Sequence, residues 1–350
     1  MSKRTGIIGS AVGLAAAAAG AVLVADRKVT ASRRAGIAEQ DGYAVPTPAR
    51  CGFLRADDGV GLYYEEDGPI EAPVTVVFVH GFCQNHAGFL FQRRTLIDTF
   101  GDRVRVLSFD QRSHGKSQRS DREHATIDQL GADLHHVLSE RVPDGPIVLV
   151  GHSMGGMTVL ALADAHPALF GPSGPIRGVL LISTTTGKLA TITLGFPAAL
   201  AKVGGPLLPL LLRGARREAA LVERGRARVT DVAWVFVKRL AFGGTVEPGL
   251  VEYLSRMIAE TPVDVIADFY PTLIDHDKLE AVGVLSKTRV GLICGERDVL
   301  TPPEHAMQIA EQLPDAELLI VPGAGHQVLM ERPDLVEPVL LTMVRDVQQC

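Results

Sequence analysis

Six short apolar runs recur along the chain: VTVVFVH (74–80), VRVLSF (104–109), IVLV (147–150), RGVLLIS (177–183), TRVGLIC (288–294) and AELLIV (316–321). Each is too short for a stable helix. Their apolar character is continuous rather than alternating, the pattern of strands buried on both faces of a parallel sheet. Helix-length stretches lie between them, near 86–100, 125–141, 154–165, 302–313 and 332–348. Thr301 before Pro302 reads as a helix start with proline in the first turn. Ahead of the runs, residues 51–68 alternate and break at Asp57-Asp58-Gly59, a hairpin signal. The order predicts an α/β fold, with a mostly parallel eight-stranded sheet flanked by helices and led by an antiparallel hairpin.

One interval breaks the alternation. Residues 187–287 carry no strand-like run and read as an inserted helical cap, with helical stretches at 215–226, 231–241 and 248–259. Its first part, Ile192 to Leu212, is strongly apolar, and Arg213, Arg216, Arg217, Arg224, Arg226 and Arg228 follow. Two readings fit this segment: ordinary helix packing with a solvated arginine face, or an acyl-binding, membrane-facing lid. The expected core is then 51–186 together with 288–350.

The N-terminal segment, 1–34, differs from the body. Gly6 to Ala25 has no charge and a single polar side chain, Ser10. As a helix it would be about 30 Å long, enough to cross a hydrocarbon core. The basic residues Arg27, Lys28, Arg33 and Arg34 outnumber Lys3 and Arg4 before it, the pattern of a retained anchor that keeps the body cytoplasmic. A cleaved secretory signal is the rival, with Ala19-Gly20-Ala21 as a small-residue cleavage site. The first reading gives a membrane-associated protein, the second an exported one. Residues 35–50 read as a linker.

A net charge of −5 argues against a nucleic-acid partner, which usually demands a basic excess. The four cysteines form no C-x-x-C pair, so neither a zinc knuckle nor a dithiol redox motif is expected. Cys294, within an apolar run, reads as a buried thiol.

The sequence Gly151-His-Ser-Met-Gly155 is G-x-S-x-G, directly after a predicted buried strand and before a predicted helix. A serine at the tip of so tight a turn needs small neighbours two residues to either side, because the backbones approach closely there. A serine hydroxyl is a weak nucleophile without a base and an orienting acid. Asp298 follows the strand at 288–294, and His326 follows the strand at 316–321. Carboxyl ends of parallel strands share one crevice, so Ser153, Asp298 and His326 are the candidate catalytic residues. Glu296 is the rival acid, nearer the strand and a poorer candidate to reach the His326 loop. Of the other histidines, His152 faces the wrong way inside the elbow, His80 and His114 sit in strand-exit loops and read as structural, and His166 precedes Pro167 at a helix end. The N–H groups of Phe82 and Met154 are the expected oxyanion donors, with Cys83 second to Phe82.

HGFCQN (80–85), FDQRSHGKS (109–117), GHSMGG (151–156), GERD (295–298) and GAGH (323–326) together resemble the α/β-hydrolase fold superfamily across residues 51–350. The resemblance implies a cap between strands six and seven. It also implies that Asp110, Arg112 and His114 buttress the site. The implied chemistry is acyl transfer to Ser153 and then to water, with no metal or organic cofactor. A carboxylesterase or lipase acting on a small-molecule or lipid ester with an apolar acyl chain is the expected activity. A C–C bond hydrolase, a thioesterase or amidase, a haloperoxidase-like enzyme and a non-catalytic receptor-like member are the alternatives. Serine in the elbow argues against epoxide opening and dehalogenation, which use aspartate there.

Overall fold

The computed structural model describes residues 43–142, 144–187, 189 and 230–349. The expectations for residues 6–25, 192–212 and 215–226 lie outside these. No described helix is long and apolar enough to cross a membrane.

One eight-stranded sheet forms the centre: β1 Arg50–Arg55, β2 Gly61–Asp67, β3 Thr75–Val79, β4 Arg105–Phe109, β5 Ile147–His152, β6 Ile176–Ile182, β7 Arg289–Gly295 and β8 Glu317–Val321. Their spatial order is β1-β2-β4-β3-β5-β6-β7-β8. The β1–β2 hairpin is antiparallel, and β2 joins β4 antiparallel. All later pairings are parallel. The helices are α1 Leu90–Phe100, α2 Ile127–Arg141, α3 Met154–Ala165, α4 Thr230–Ala241, α5 Pro248–Glu260, α6 Val263–Asp275, α7 Pro303–Gln312 and α8 Pro333–Gln348. Helices α4 to α6 belong to the insertion between β6 and β7. The sequence reading anticipated α4 and α5 but not α6, whose interior Pro271 hides a helical pattern.

The period-two geometry of strands explains the continuous apolar runs. Val76, Phe78, Val148, Val150, Leu180 and Ile182 face one layer, which includes Phe89, Leu96, Leu340 and Val344. Their neighbours Val77, Val79, Leu149, Val179 and Leu181 face the other, with Leu134, Leu160 and Leu162. Neither face of the central strands meets water, so no polar alternation survives. Helix α3 is buried along nearly all its length. It packs on α2 at Gly131, where an added Cβ would stand 2.9 Å from the Cβ of Ala161. The expected helix start at 301 is shifted: the cap of α7 is Pro302, which offers no side-chain bond, and Thr301 is committed elsewhere.

Candidate active site

The turn from β5 into α3 is built by steric exclusion. Ser153 has φ 52° and ψ −118°, a conformation that L-residues rarely adopt. Such strain costs on the order of 1–3 kcal/mol and persists only where the surroundings enforce it. A Cβ on Gly155 would lie 1.9 Å from the carbonyl oxygen of Val79, and one on Gly151 would lie 2.8 Å from Gly156 backbone. The Ser153 N–H donates to Ile182 O at 2.9 Å, and its carbonyl accepts from Gly156 N at 2.9 Å and from Thr184 Oγ1 at 2.7 Å. The strained peptide is thus hydrogen-bonded on both sides.

Strands β7 and β8 deliver the partners, with Gly295 and Val321 in register at the strand ends. His326 Nδ1 stands 2.8 Å from Asp298 Oδ2. Asp298 is almost fully buried, and three donors hold it: Leu300 N at 2.8 Å and Thr301 N at 2.9 Å on Oδ1, and Thr301 Oγ1 at 2.9 Å on Oδ2. Burial alone would raise this carboxyl. The facing His326 and these N–H groups outweigh it and hold Asp298 below the ordinary carboxylate value. Glu296 does reach the His326 loop, accepting from Gly323 N at 2.8 Å, but it does not pair with the imidazole.

His152 links the two halves of the site. Its Nε2 lies 3.1 Å from His326 O, and the two rings are 5.0 Å apart. Burial, with the nearby His326 second, pushes His152 down to about 3, so it is neutral and Nε2–H donates to the carbonyl. The residue preceding Ser153 is thus in contact with both the backbone and the ring of His326. Among the described residues no hydrogen bond joins Ser153 and His326 directly.

The loop after β3 closes against the elbow. A Cβ on Gly81 would stand 3.2 Å from Ser153 Cβ and 2.9 Å from His152 Nδ1. Phe82 follows, and Cys83 takes φ 57°. The Met154 N–H is the first of α3 and has no acceptor within that helix. His80 fixes this loop: one ring nitrogen, Nδ1, donates to Gly81 O at 2.8 Å while Nε2 accepts from Gln111 N at 2.9 Å. Gln111 Nε2 returns a bond to His80 O at 2.6 Å. His80 is therefore a structural histidine.

Asp110 binds His86 Nδ1 at 2.8 Å, His86 N at 2.7 Å and Lys116 N at 2.8 Å. Arg112 makes a two-pronged pair with Asp133 and a third bond to Asp58 in the hairpin turn, all at 2.6 Å. These contacts tie the β4 exit loop to the β1–β2 turn and to α2. His114 donates from Nδ1 to Arg112 O at 2.9 Å and packs between the rings of Phe82 and Phe269. All three residues serve the scaffold, as the loop's pattern implied.

Beside Met154, an apolar cluster of Met157, Val265, Phe269 and Leu273, joined by Phe82 and Leu189, lines the junction between the core and the insertion. The sequence reading did not single out Thr184 or Phe269, and it took Thr301 only as a helix start. The Thr184 hydroxyl carries no local signal because its partner, Ser153, lies 31 residues away in the chain.

A sequence profile described as the alpha/beta hydrolase family matches residues 76–339. The chain is 27% identical over 272 residues to an sn-1-specific diacylglycerol lipase of Mus musculus, covering 76% of this chain and 79% of that protein. It is 26% identical over 302 residues to a non-heme chloroperoxidase of Streptomyces lividans, covering 84% and 99%. Among solved structures, a thermophilic esterase from Thermogutta terrifontis superposes with a TM-score of 0.65 at 23% identity, covering 86% of this chain and all of that one. At that identity the likeness concerns the fold.

Proposed function

The chain belongs to the alpha/beta hydrolase family, and from that premise we propose that it is a serine hydrolase of carboxylic esters with an apolar acyl group. The observation that supports the reading is a strained serine after β5 and a buried His–Asp pair after β7 and β8, joined through the contact of His152 with His326. Ser153 Oγ attacks the ester carbonyl carbon while His326 Nε2 takes its proton. Asp298 holds the Nδ1–H and favours the imidazolium that forms. The negative oxygen is stabilised by the N–H groups of Phe82 and Met154, aided by the N-terminal end of α3. His326 then protonates the departing alkoxide, giving an acyl-enzyme. Water, deprotonated by the same imidazole, releases the acid and restores Ser153.

The apolar junction of Phe82, Met157, Val265, Phe269 and Leu273 supports an apolar substrate group. The test is hydrolysis of p-nitrophenyl esters from acetate to palmitate. Highest kcat/KM at medium or long chains is the expected result. Preference for acetate would overturn the acyl assignment while leaving the serine chemistry. Thioester, amide or C–C bond cleavage in place of ester hydrolysis would move the chain to another reaction of the same family.

The membrane part of the proposal rests on sequence alone: residues 6–25 anchor the domain, with the basic residues that follow keeping it on the cytoplasmic side. Membrane fractionation with protease accessibility tests it. Recovery of a cleaved, exported protein would replace the anchor by a signal.

A further inference from the structure

Gly243, in the bend after α4, and Gly325, in the loop before His326, meet backbone to backbone. A Cβ on Gly243 would stand 2.5 Å from Ala324 C and 2.6 Å from Gly325 N. One on Gly325 would stand 2.4 Å from Gly243 N and 2.6 Å from Phe242 C. Neither position has room for a side chain, so the insertion and the His326 loop are in direct backbone contact. Hydrogen bonds cross the same seam: Gln327 N donates to Ala241 O at 2.8 Å, and Arg297 Nη1 donates to Gly243 O at 3.1 Å.

Glu331, at the end of the short helix Val328–Glu331, closes the seam. Its Oε2 accepts from Gly325 N at 2.8 Å and Gly243 N at 3.0 Å, and its Oε1 accepts from Gly244 N at 2.7 Å. One carboxylate therefore holds N–H groups from both sides. Bonds to an ionised acceptor are about twice as strong as neutral ones. His326 lies between Gly325, held by Glu331, and Gln327, bound directly across the seam to Ala241 O.

We propose that Glu331 is a positioning residue that locks the His326 loop to the insertion, so that the placement of the insertion sets the placement of the imidazole. The proposal rests on the reading of His326 as the catalytic base. Asp298 fixes the ring at Nδ1, and Glu331 fixes the backbone that carries the ring. Glu331 itself bonds only to backbone N–H groups here, so its effect belongs in the chemical step and not in substrate affinity. A displacement of about 1 Å at a reacting group can cost on the order of a hundredfold in rate.

The test uses the full chain and the variants Glu331→Ala, Glu331→Gln and Gly243→Ala. Active sites are counted by titrating Ser153 to completion with a fluorophosphonate, and kcat is expressed per titrated site, which removes any loss of folded protein. Expected is a roughly tenfold to hundredfold fall in kcat for Glu331→Ala with KM within about twofold, consistent with misplacement of the base. Glu331→Gln, which keeps one acceptor oxygen, falls in between. Gly243→Ala, made from the insertion side, shows the same selective loss of kcat. Wild-type kcat per titrated site in Glu331→Ala, or a rise in KM at constant kcat, overturns the proposal. If Glu331→Ala does not accumulate, Glu331→Gln and Gly243→Ala carry the comparison. A wild-type protein that neither titrates nor hydrolyses esters removes the premise, an outcome distinct from an active wild type matched by its variants.

Discussion

Oδ2 of Asp298 sits 2.8 Å from His326 Nδ1, and the same oxygen accepts the Thr301 hydroxyl at 2.9 Å. The carboxylate is thus oriented before it orients the imidazole. Asp298→Asn would turn an acceptor into a donor at Nδ1 and favour the tautomer whose proton sits on Nε2, where the base needs a lone pair. The expected loss in kcat is about 10⁴-fold, the size seen when a triad acid is replaced by its amide. KM and the melting temperature should change little. A kcat within tenfold of wild type would show that Asp298 does not serve the base.

Thr301→Val is nearly isosteric and deletes only the hydroxyl. With Leu300 N and Thr301 N still on Oδ1, Asp298 stays in place but is free to rotate. A fall of about tenfold to a hundredfold in kcat is expected at constant KM, in the range of one lost hydrogen bond to a charged group. Thr301→Ser should restore most of it. Equal losses in Val and Ser variants would assign Thr301 a packing role instead.

The elbow glycines differ in what surrounds them. At Gly155 a methyl group would meet the Val79 carbonyl, part of the central sheet, which cannot move. Gly155→Ala should cost more than about 4 kcal/mol, enough to abolish folded protein. At Gly156 the obstacle is the Thr184 side chain, with its Oγ1 2.5 Å away. Thr184 Cβ is itself 2.6 Å away, so rotation alone does not clear the methyl and Thr184 must shift, loosening its bond to the Ser153 carbonyl. Gly156→Ala should fold with a loss of about 1–3 kcal/mol by chemical denaturation. The reverse ranking would contradict this account of the turn.

His86 lies between two carboxylates, with Asp110 Oδ1 2.8 Å from Nδ1 and Glu65 Oε1 3.1 Å from Nε2. Burial alone would lower it, but the bonds to Asp110 and Glu65 win and raise it to about 9. Because the folded value is above the unfolded one, the stabilisation is present in full below about pH 6.5 and is lost as pH rises through about 9. The fall in unfolding free energy across that window should be on the order of 2–3 kcal/mol. Arg93 also faces Glu65, and against burial its bonds to Asp67 and Glu65 raise it further above this window. His86→Gln should flatten it. Stability that holds steady from pH 6.5 to 9 in the wild type would contradict the charged assignment.

The sheet was legible because burial on both faces leaves apolar runs such as VTVVFV with no polar interruption. The placement of Ser153, Asp298 and His326 just past strand ends was legible because each follows such a run. Thr184, Thr301 and Glu331 were not. Thr184 and Glu331 bond to Ser153 and Gly243, and nothing in a serine-threonine run or a Glu-Arg-Pro sequence announces a partner across the fold. Thr301 also carried a misleading local signal, since a hydroxyl before proline suits a helix cap. Glu296 was read as falling short of the His326 loop, but the register of β7 and β8 brings Gly323 N within its reach. Helix α6 was missed because Pro271 stands inside it, and its place over Phe82 follows from tertiary packing.

The central claim is that Ser153 is an activated nucleophile. A fluorophosphonate probe, which phosphonylates only such a serine, measures this directly by intact mass and peptide mapping. The account predicts one adduct per chain at Ser153, absent from Ser153→Ala and strongly slowed in Asp298→Asn and His326→Ala. No adduct on the folded wild-type chain, or equal labelling of Ser153→Ala, would contradict it.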